Sequence, residues 1–233
     1  MSAAHLSRQY DLELERIRSK VLMMGGLAQS QFNDALACYR TGNSKQAEQV
    51  IIADRDVNRL EMSLDDECSS LIVRRQPAAD DLRMVMATLK VITDLERIGD
   101  EAAKIARFAT MVHERAGAGI NHHDTVRAIA VSAAGMLHDA LDAFARLDGK
   151  QAQEIIARDA MVDHGFRVIL RTTVNFMMED PRTISAALDT LWVAKSIERI
   201  GDHAKNIAEY VIYVVDGKDI RHSSRAIAAS GDF

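Results

Sequence analysis

The chain has 233 residues, of which 48% are apolar and 27% are charged, and it carries a formal net charge of −5 with only two prolines. This composition favours a folded protein with a sizeable core and few loops. The acidic balance argues against a nucleic-acid-binding protein, because such proteins neutralise phosphates with an excess of lysine and arginine. No apolar signal segment and no run of about 18 apolar residues is present, so we expect a cytoplasmic protein.

Three long helices are predicted in the first half of the chain. Apolar residues recur at helical spacing in the segments 7–40, 44–75 and 78–116. The first helix is followed by a turn at 41–43, where Gly42 permits a left-handed conformation, and Ser44 is expected to cap the second helix. Pro77 ends the second helix, and the third ends before the glycine-rich stretch 117–119.

The second half of the chain repeats this order. Helices are predicted over 122–147, 150–178 and 182–215, with turns at Asp148-Gly149 and Asp180-Pro181. Short turns between long amphipathic helices produce antiparallel neighbours. The sequence therefore predicts an all-α fold of two tandemly repeated antiparallel three-helix bundles. Residues 1–117 are assigned to the first bundle, 118–216 to the second and 217–233 to a polar tail.

The chain contains an internal repeat. Residues 33–58 align without a gap to residues 138–163 at an offset of 105, and the two prolines of the chain follow at an offset of 104. The pentapeptide Glu-Arg-Ile-Gly-Asp then occurs twice, at 96–100 and at 198–202, at an offset of 102. Coincidences that recur in the same order indicate a duplicated unit of about a hundred residues.

Each pentapeptide places two carboxylates four residues apart: Glu96 with Asp100, and Glu198 with Asp202. Residues at this spacing share one helix face, where like charges cost about 0.2–0.5 kcal/mol unless a cation offsets them. Such oxygen-rich pairs bind hard or borderline cations, namely Mg²⁺, Mn²⁺, iron and, less selectively, Zn²⁺. The glycine inside each motif costs about 1 kcal/mol relative to alanine in a helix, which suggests a close approach of other atoms there.

Two further polar pairs with this spacing lie on the second helix of each half: Asp54 with Asn58, and Asp159 with Asp163. The second and third helices of a three-helix bundle are neighbours, so these side chains are expected to converge with the pentapeptide acids. Each half then offers four oxygen-bearing side chains to a metal.

The alternative interpretation is that these acids form ordinary ion pairs on helix surfaces. In the first copy Asp100 can pair with Lys104, and Arg97 can pair with Glu101. The second copy has Asn206 at the position of Lys104, so local pairing explains only one copy. This difference makes the second site the stronger candidate.

Two other residues of the sixth helix have competing interpretations. His203 follows Asp202 and is a candidate accessory ligand, but its position about 100° further round the helix favours exposure to solvent. Trp192 lies within an apolar stripe and is predicted to belong to the core.

Enzyme signatures are absent from the sequence. It lacks a phosphate-binding P-loop, a Gly-x-Gly-x-x-Gly motif, a Gly-x-Ser-x-Gly motif and a His-Glu-x-x-His motif. None of the eight histidines has a glutamate three residues before it, which disfavours a ferritin-like di-iron centre. Enzymes that depend on these motifs are therefore not expected. A metal-loaded interaction module, a metal-dependent phosphohydrolase and a structural bundle without a site stay open.

Three stretches of the chain carry a family likeness: residues 76–83, 95–100 and 197–209. In these stretches the chain resembles the PhoU family of phosphate-specific transport system accessory proteins, and the likeness extends from about residue 8 to residue 216. The resemblance implies two three-helix bundles that each bear an acid-x-x-x-acid motif. It also implies bound metal, with the ligands Glu96, Asp100, Glu198 and Asp202 and the companions Asp54, Asn58, Asp159 and Asp163.

The resemblance implies a regulator rather than a catalyst. PhoU-like proteins stand between a Pst phosphate ABC transporter and a PhoR-type sensor histidine kinase, and they keep the phosphate-starvation response off when phosphate is plentiful. The implied partners are the ATPase subunit of the transporter, the kinase and a second copy in a homodimer, with membrane association only through those partners. The stretch 180–185 lacks the Asp-Leu-Arg found after the first proline, so the two bundles are expected to be unequal.

Overall fold

The computed structural model of the chain describes residues 3–114 and 123–220. Its elements are α1 Ala3–Thr41, α2 Ser44–Arg75, α3 Ala79–Glu114, α4 His123–Arg146, α5 Gly149–Glu179, a 3₁₀ turn at Pro181–Thr183, and α6 Ile184–Asp216. No strand occurs in the described ranges, and the predicted all-α fold is confirmed. The predicted glycine-rich turn at 117–119 and most of the polar tail, 221–233, lie outside the described residues.

A polar side chain caps the start of α2. Asn43 is extended, with φ −73° and ψ 98°, and its Oδ1 accepts a hydrogen bond from the Gln46 backbone N–H at 3.2 Å. The prediction that Ser44 is the cap is therefore wrong by one residue. Gly42 makes the left-handed turn, with φ 68°, so the chain re-enters the helix at Ser44 and Asn43 is the last residue outside it. Such a cap stabilises a helix by about 1 kcal/mol.

The six helices form two three-helix bundles that pack against each other. Helices α1, α2 and α3 form one bundle, and α4, α5 and α6 form the other. The bundles meet where α3 packs on α6 and where α1 packs on α4, whereas in the described ranges α2 and α5 pack only within their own bundle. Buried side chains of both halves, such as Phe32, Leu95, Phe144 and Ile197, belong to one core cluster. The α2–α3 pair and the α5–α6 pair therefore lie on separate flanks of the molecule.

Polar contacts cross the seam between α3 and α6. Asp94 of α3 accepts hydrogen bonds from His203 Nδ1 at 2.6 Å and from Asn206 Nδ2 at 3.1 Å. Glu101, two turns later on α3, lies 3.0 Å from the guanidinium of Arg199. The expectation that His203 faces solvent is wrong, because its ring turns toward α3 and its side chain is only 17% exposed. Buried acids of the first bundle thus bind groups of the second.

Trp192 lies at the surface edge of this seam. It is 54% exposed and stacks on Phe108 of α3 with the ring centroids 6.0 Å apart. The prediction that Trp192 belongs to the core is wrong. The apolar periodicity of α6 covers the core face and the adjoining seam edge together, and the spacing alone does not separate them.

Helix α4 has the length and composition of a membrane span over residues 124–146, with a mean hydropathy of 1.2. The sequence was expected to contain no such segment, because polar residues interrupt the apolar residues of α4 and no continuous apolar run results. Half of its most apolar part is buried inside the structure, where α4 packs on α1, α5 and α6. Helices in the cores of folded proteins share this composition, and the contacts of α4 are those of a core helix.

Candidate metal centres

Acidic side chains from α5 and α6 converge on the flank of the second bundle. Asp159 and Asp163 lie one turn apart on α5, and Asp202 faces them from α6. One carboxylate oxygen of each lies within 4.8 Å of the others, which no other trio of metal-ligating side chains achieves among the described residues. Glu198, one turn before Asp202, adds its charge to the group. We call these four residues the second acidic cluster, and the structure brings together all four that the sequence predicted for this half.

The second acidic cluster is crowded with negative charge. Burial, followed by the charges of Glu198 and of the two α5 aspartates, raises the pKa of Asp202 from 3.8 to about 6. Burial, followed by the charge of Asp159, also raises the pKa of Asp163. Carboxylates held this close repel one another, and a bound divalent cation would remove that repulsion.

Two lysines contact this cluster. Lys205 Nζ donates to Asp159 Oδ2 at 2.6 Å, and Lys195 Nζ lies 2.7 and 2.6 Å from the two oxygens of Glu198. Asp159 is only 4% exposed, and its other oxygen, Oδ1, is buried without a hydrogen-bond partner. The cluster therefore contains part of the positive charge that it needs, together with one orphaned carboxylate oxygen.

The equivalent flank of the first bundle carries Asp54 and Asn58 on α2, and Glu96 and Asp100 on α3. We call these four residues the first acidic cluster. Gln31 of α1 supports it, since Gln31 Nε2 donates to Asp54 Oδ1 at 3.2 Å, while Asn58 Nδ2 donates to Oδ2 at 3.4 Å. Gln31 Oε1 and Asn58 Oδ1 are buried without a hydrogen-bond partner. Orphaned amide oxygens of this kind are ligands that hard cations accept.

Repulsion between acids is present in the first acidic cluster too. Burial, followed by the charge of Asp100, raises the pKa of Glu96, and Arg97 opposes this rise. The charges of Glu61 and Asp54 raise it further. Arg97 lies 3.4 Å from a Glu96 oxygen and 4.0 Å from an Asp100 oxygen. The first acidic cluster therefore has one more neighbouring acid than the sequence predicted, since the charge of Glu61 on α2 raises the pKa of Glu96.

The ion pairs of the alternative interpretation differ from those in the structure. Lys104 donates to Glu101 at 2.9 Å instead of pairing with Asp100, and Arg97 contacts the two pentapeptide acids instead of Glu101. Glu101 points into the α3–α6 seam, where its side chain is 5% exposed. Lys104 forms its ion pair there, with Glu101. Lys104 is thus not the cation that neutralises the first acidic cluster.

The donor atoms of both acidic clusters suit a cation that prefers oxygen ligands, but among the described residues only the second cluster brings three acids within 4.8 Å of one another. Their donors are carboxylates, joined by amide oxygens in the first half, and orphaned buried oxygens occur in each. Oxygen ligands lie about 2.0–2.6 Å from Mg²⁺ or Ca²⁺, so two ligands of one ion are at most about 5 Å apart. The oxygens of the second cluster, within 4.8 Å of one another, meet this limit. A bound ion would neutralise the carboxylates of its cluster. Binding, and the choice among Mg²⁺, Mn²⁺, iron and Zn²⁺, stay predictions.

Four side chains around the clusters were not predicted: Gln31, Glu61, Lys195 and Lys205. Lys195 precedes Glu198 by three residues, which is a pairing distance on a helix. Lys205 follows Asp202 by three residues, and Glu61 follows Asn58 by three, so helical spacing places both on the cluster faces. Gln31 gives a weaker signal. It is a polar residue in the apolar stripe of α1, and it lies outside the aligned part of the repeat.

The glycines of the two pentapeptides have different neighbours. A methyl group added at Gly99 would lie 3.0 Å from Asp54 Oδ1 and 3.2 Å from Gln31 Oε1, whereas one added at Gly201 would lie 3.4 Å from Val162 Cγ1. Of these two glycines only Gly99 therefore has unusually close neighbours: an oxygen of Asp54 in the first acidic cluster, the Gln31 oxygen beside it, and Val57 Cγ1 at 3.3 Å.

We expect Gly201→Ala to stabilise the metal-free protein by about 0.5–1 kcal/mol, which is the usual advantage of alanine in a helix. Gly99→Ala is expected to gain less, or to lose stability, because its methyl group displaces Asp54. Urea unfolding of both variants in EDTA measures the difference. An equal gain in both would show that the space beside Gly99 is not needed for the first acidic cluster.

The family model described as PhoU domain matches the chain twice, over residues 21–109 and 126–211. Each match contains one pentapeptide and one acidic cluster. The duplication seen in the sequence is therefore a duplication of this domain.

The chain is similar to proteins from several bacteria. It is 46% identical over 218 residues to the "Phosphate-specific transport system accessory protein PhoU homolog" of Pseudomonas putida, which covers 94% of this chain and 85% of the relative. It is 42% identical over 221 residues to the "Phosphate-specific transport system accessory protein PhoU" of Escherichia coli K12, with 94% and 90% covered.

Two solved structures share the fold. The crystal structure of PhoU from Pseudomonas aeruginosa has a TM-score of 0.87 and 45% sequence identity, covering 90% of this chain and 100% of that chain. The crystal structure of the phosphate transport system regulatory protein PhoU from Streptococcus pneumoniae has a TM-score of 0.83 and 25% identity, with 90% and 98% covered. The likeness therefore holds over nearly the whole length of each chain.

Proposed function

The chain belongs to the PhoU family, and from that membership we propose that it works as a regulatory accessory protein of phosphate-specific transport, not as a catalyst. The observation that carries this proposal is the family match in both repeats, each of which contains an acidic cluster. The names of the relatives, an accessory protein in two of them and a regulatory protein in a third, support the same role.

In the finer form of the proposal, the protein is a negative regulator of the phosphate-starvation response and a modulator of phosphate uptake. It couples the ATPase subunit of a Pst phosphate ABC transporter to a PhoR-type sensor histidine kinase, and it keeps the response off when phosphate is plentiful. Long helices packed on a shared core suit this role, because they present extended rigid faces to protein partners.

Metal binding by the two acidic clusters is part of the proposal. It is supported by the buried orphaned oxygens of Gln31, Asn58 and Asp159 and by the raised pKa of Asp202, whose main causes are burial and the neighbouring acids. A cation in each cluster would neutralise the flank on which it lies. A neutralised or positive flank can then meet an acidic partner or the phosphate groups of a membrane surface.

We place the protein in the cytoplasm, as a homodimer that reaches the membrane only through the transporter. The excess of 34 acidic over 29 basic residues supports partners other than nucleic acid. Exposed apolar side chains near the start of α6 support protein contacts, since Trp192, Leu188 and Ile184 are 54%, 43% and 41% exposed.

Deletion of the gene tests the regulatory role. We expect phosphate-responsive genes to be expressed in phosphate-rich medium in the deletion strain, and a plasmid copy to restore repression, as measured with a transcriptional reporter. Full repression in the deletion strain would contradict the role.

A second plasmid tests whether the carboxylates of the two acidic clusters are needed for repression. A copy with the four substitutions Glu96→Gln, Asp100→Asn, Glu198→Gln and Asp202→Asn is expected to restore repression only partly. The matched control is Asp56→Asn, since Asp56 is 58% exposed and pairs with the exposed Arg59. Full repression by the fourfold variant would remove metal from the regulatory mechanism and leave the regulatory role in place.

Turnover of a phosphate ester would favour the metal-dependent phosphohydrolase instead. The purified protein, incubated with Mn²⁺ or Mg²⁺ and a phosphomonoester, is expected to release no phosphate. Release that is lost in Asp202→Ala would contradict the non-catalytic role.

A further inference from the structure

The two halves of the molecule hold one equivalent aspartate in different ways. Asp54 in the first half and Asp159 in the second occupy the same position of the repeat. The neutral amide of Gln31 donates to Asp54 at 3.2 Å, whereas the ammonium of Lys205 donates to Asp159 at 2.6 Å. An amide orients a carboxylate without neutralising it, while an ammonium does both.

The repeat shows that each arrangement belongs to one half only. Extending the offset of 105 two residues before the aligned block places Met136 opposite Gln31, and the offset of 102 of the pentapeptides places Ala103 opposite Lys205. Both are apolar and buried, with exposures of 0% and 2%. Neither half therefore carries the side chain that the other half uses for its aspartate.

The charge of Lys205 acts on all three converging aspartates of the second acidic cluster. Lys205 Nζ lies 2.6 Å from Asp159 Oδ2. An oxygen of Asp159 lies within 4.8 Å of an oxygen of Asp163 and of an oxygen of Asp202, so the ammonium is close to the whole group. A divalent cation that enters the group would meet a positive charge already bound to one of its ligands.

We propose that Lys205 is a resident cation of the second acidic cluster, and that a divalent metal must compete with its positive charge in order to bind there. Lys205 then lowers the affinity of this cluster for metal, so the second cluster fills at a higher metal concentration than it would without the lysine. The inference rests on the proposed metal binding and adds a residue that sets the metal level to which one site responds.

The substitution Lys205→Met tests this, because it removes the ammonium and keeps an apolar stem. Mn²⁺ binding is measured by calorimetry in a parent protein whose first acidic cluster is disabled by Glu96→Gln and Asp100→Asn. Lys205→Met is expected to bind Mn²⁺ at least about 10-fold more tightly than this parent, since it removes like charge near the ion. Lys205→Arg, which keeps the charge, is expected to bind as weakly as the parent.

The matched control is Lys104→Met in the same parent. Lys104 is bonded to Glu101 in the seam, so its removal also takes a partly exposed ammonium away from a buried acid, but it does not touch the second acidic cluster. The Mn²⁺ affinity of this control is expected to equal that of the parent.

Thermal unfolding gives a second readout. In EDTA, Lys205→Met is expected to unfold at a lower temperature than the parent, because the 4% exposed Asp159 loses its cation. Saturating Mn²⁺ is then expected to raise the Tm of Lys205→Met more than that of the parent.

Equal or weaker Mn²⁺ binding by Lys205→Met would overturn the inference and would show that the lysine positions Asp159 as a ligand or takes no part; metal binding itself would stand. The absence of Mn²⁺ binding in the unmodified protein, the parent and Lys205→Met would overturn both the inference and the proposed metal binding. Binding that appears only in Lys205→Met would support the inference.

Discussion

Replacing Asp202 by Asn is expected to stabilise the metal-free protein and to reduce its stabilisation by metal, because the second acidic cluster loses a ligand while the first keeps all of its ligands. Burial and the neighbouring acids raise the pKa of Asp202 to about 6, so its ionised form at neutral pH costs folding free energy. An amide of the same shape avoids this cost, for a gain on the order of 1–3 kcal/mol. The substitution also removes a carboxylate ligand from the second acidic cluster. Urea unfolding in EDTA measures the gain in the free energy of unfolding, and the Tm with and without Mn²⁺ measures the loss of stabilisation by metal.

The pH dependence of the unmodified protein also tests whether the ionised Asp202 carboxylate destabilises the fold. The folded-state pKa of Asp202, about 6, lies above its ordinary value of 3.8, so between these values the folded protein holds a proton that the unfolded chain has released. In EDTA, the contribution of Asp202 to stability therefore falls as the pH rises from about 4 to about 6. Asp202→Asn is expected to remove this part of the pH dependence.

Asp56→Asn is the control for this pair of measurements. Asp56 lies on the exposed face of α2, so its substitution is expected to change stability by no more than about 0.5 kcal/mol. If Asp202→Asn were less stable than the unmodified protein in EDTA, the Asp202 carboxylate would have favourable contacts that outweigh its repulsion, and the crowding described for the second acidic cluster would be wrong.

The second large effect is expected at the α3–α6 seam, where two cations contact Glu101. The Glu101 side chain is 5% exposed, whereas those of Lys104 and Arg199 are 40% and 51% exposed. The double substitution Lys104→Ala and Arg199→Ala leaves a buried carboxylate without these partners, and it is expected to destabilise the fold by about 3–5 kcal/mol. Glu101→Gln leaves two cations that water can solvate, and it is expected to cost only about 1–3 kcal/mol.

Urea unfolding in EDTA measures both variants and their combination. Adding Glu101→Gln to the double variant is expected to recover part of the lost stability, because it removes the stranded charge. A double variant that loses less stability than Glu101→Gln alone would show that these contacts behave as ordinary surface ion pairs. The seam would then be held together by its apolar contacts.

The helical fold could be predicted because three separate signals agree. Apolar periodicity, the turn residues and the internal repeat each indicate three helices per half. The third helix, predicted to start near residue 78, begins at Ala79, and the fifth, predicted over 150–178, spans Gly149–Glu179. The division into bundles at residue 117 stays a prediction.

Contacts between the bundles could not be predicted from helical spacing. Periodicity shows which face of a helix is apolar, but it does not show which helix packs on that face. Glu101 and His203 each follow the last acid of a pentapeptide. Both point into the seam, where Glu101 binds Arg199 and His203 binds Asp94, partners more than ninety residues away along the chain. Trp192 shows the reverse, an apolar residue left at the edge of the seam.

The sequence predicted which acids form each cluster, but it did not predict which side chains of other helices bind them. The four-residue spacing of Asp159 with Asp163, and of Glu198 with Asp202, puts each pair on one helix face, and neighbouring helices bring the faces together. Asp54 and Asp159 each bind a side chain of another helix. It is an amide of α1 in the first half and a lysine of α6 in the second, and the repeat alignment alone does not reveal this exchange.

The most direct test of the central claim, that each repeat holds a cation in its acidic cluster, is anomalous X-ray diffraction from crystals of the protein grown with excess Mn²⁺. We expect anomalous peaks about 2.0–2.6 Å from carboxylate oxygens in both clusters. One peak should lie beside Asp163 and Asp202, and one beside Glu96 and Asp100. A well-ordered crystal with no peak at either cluster, or with peaks only at exposed acids such as Asp56, would contradict the claim.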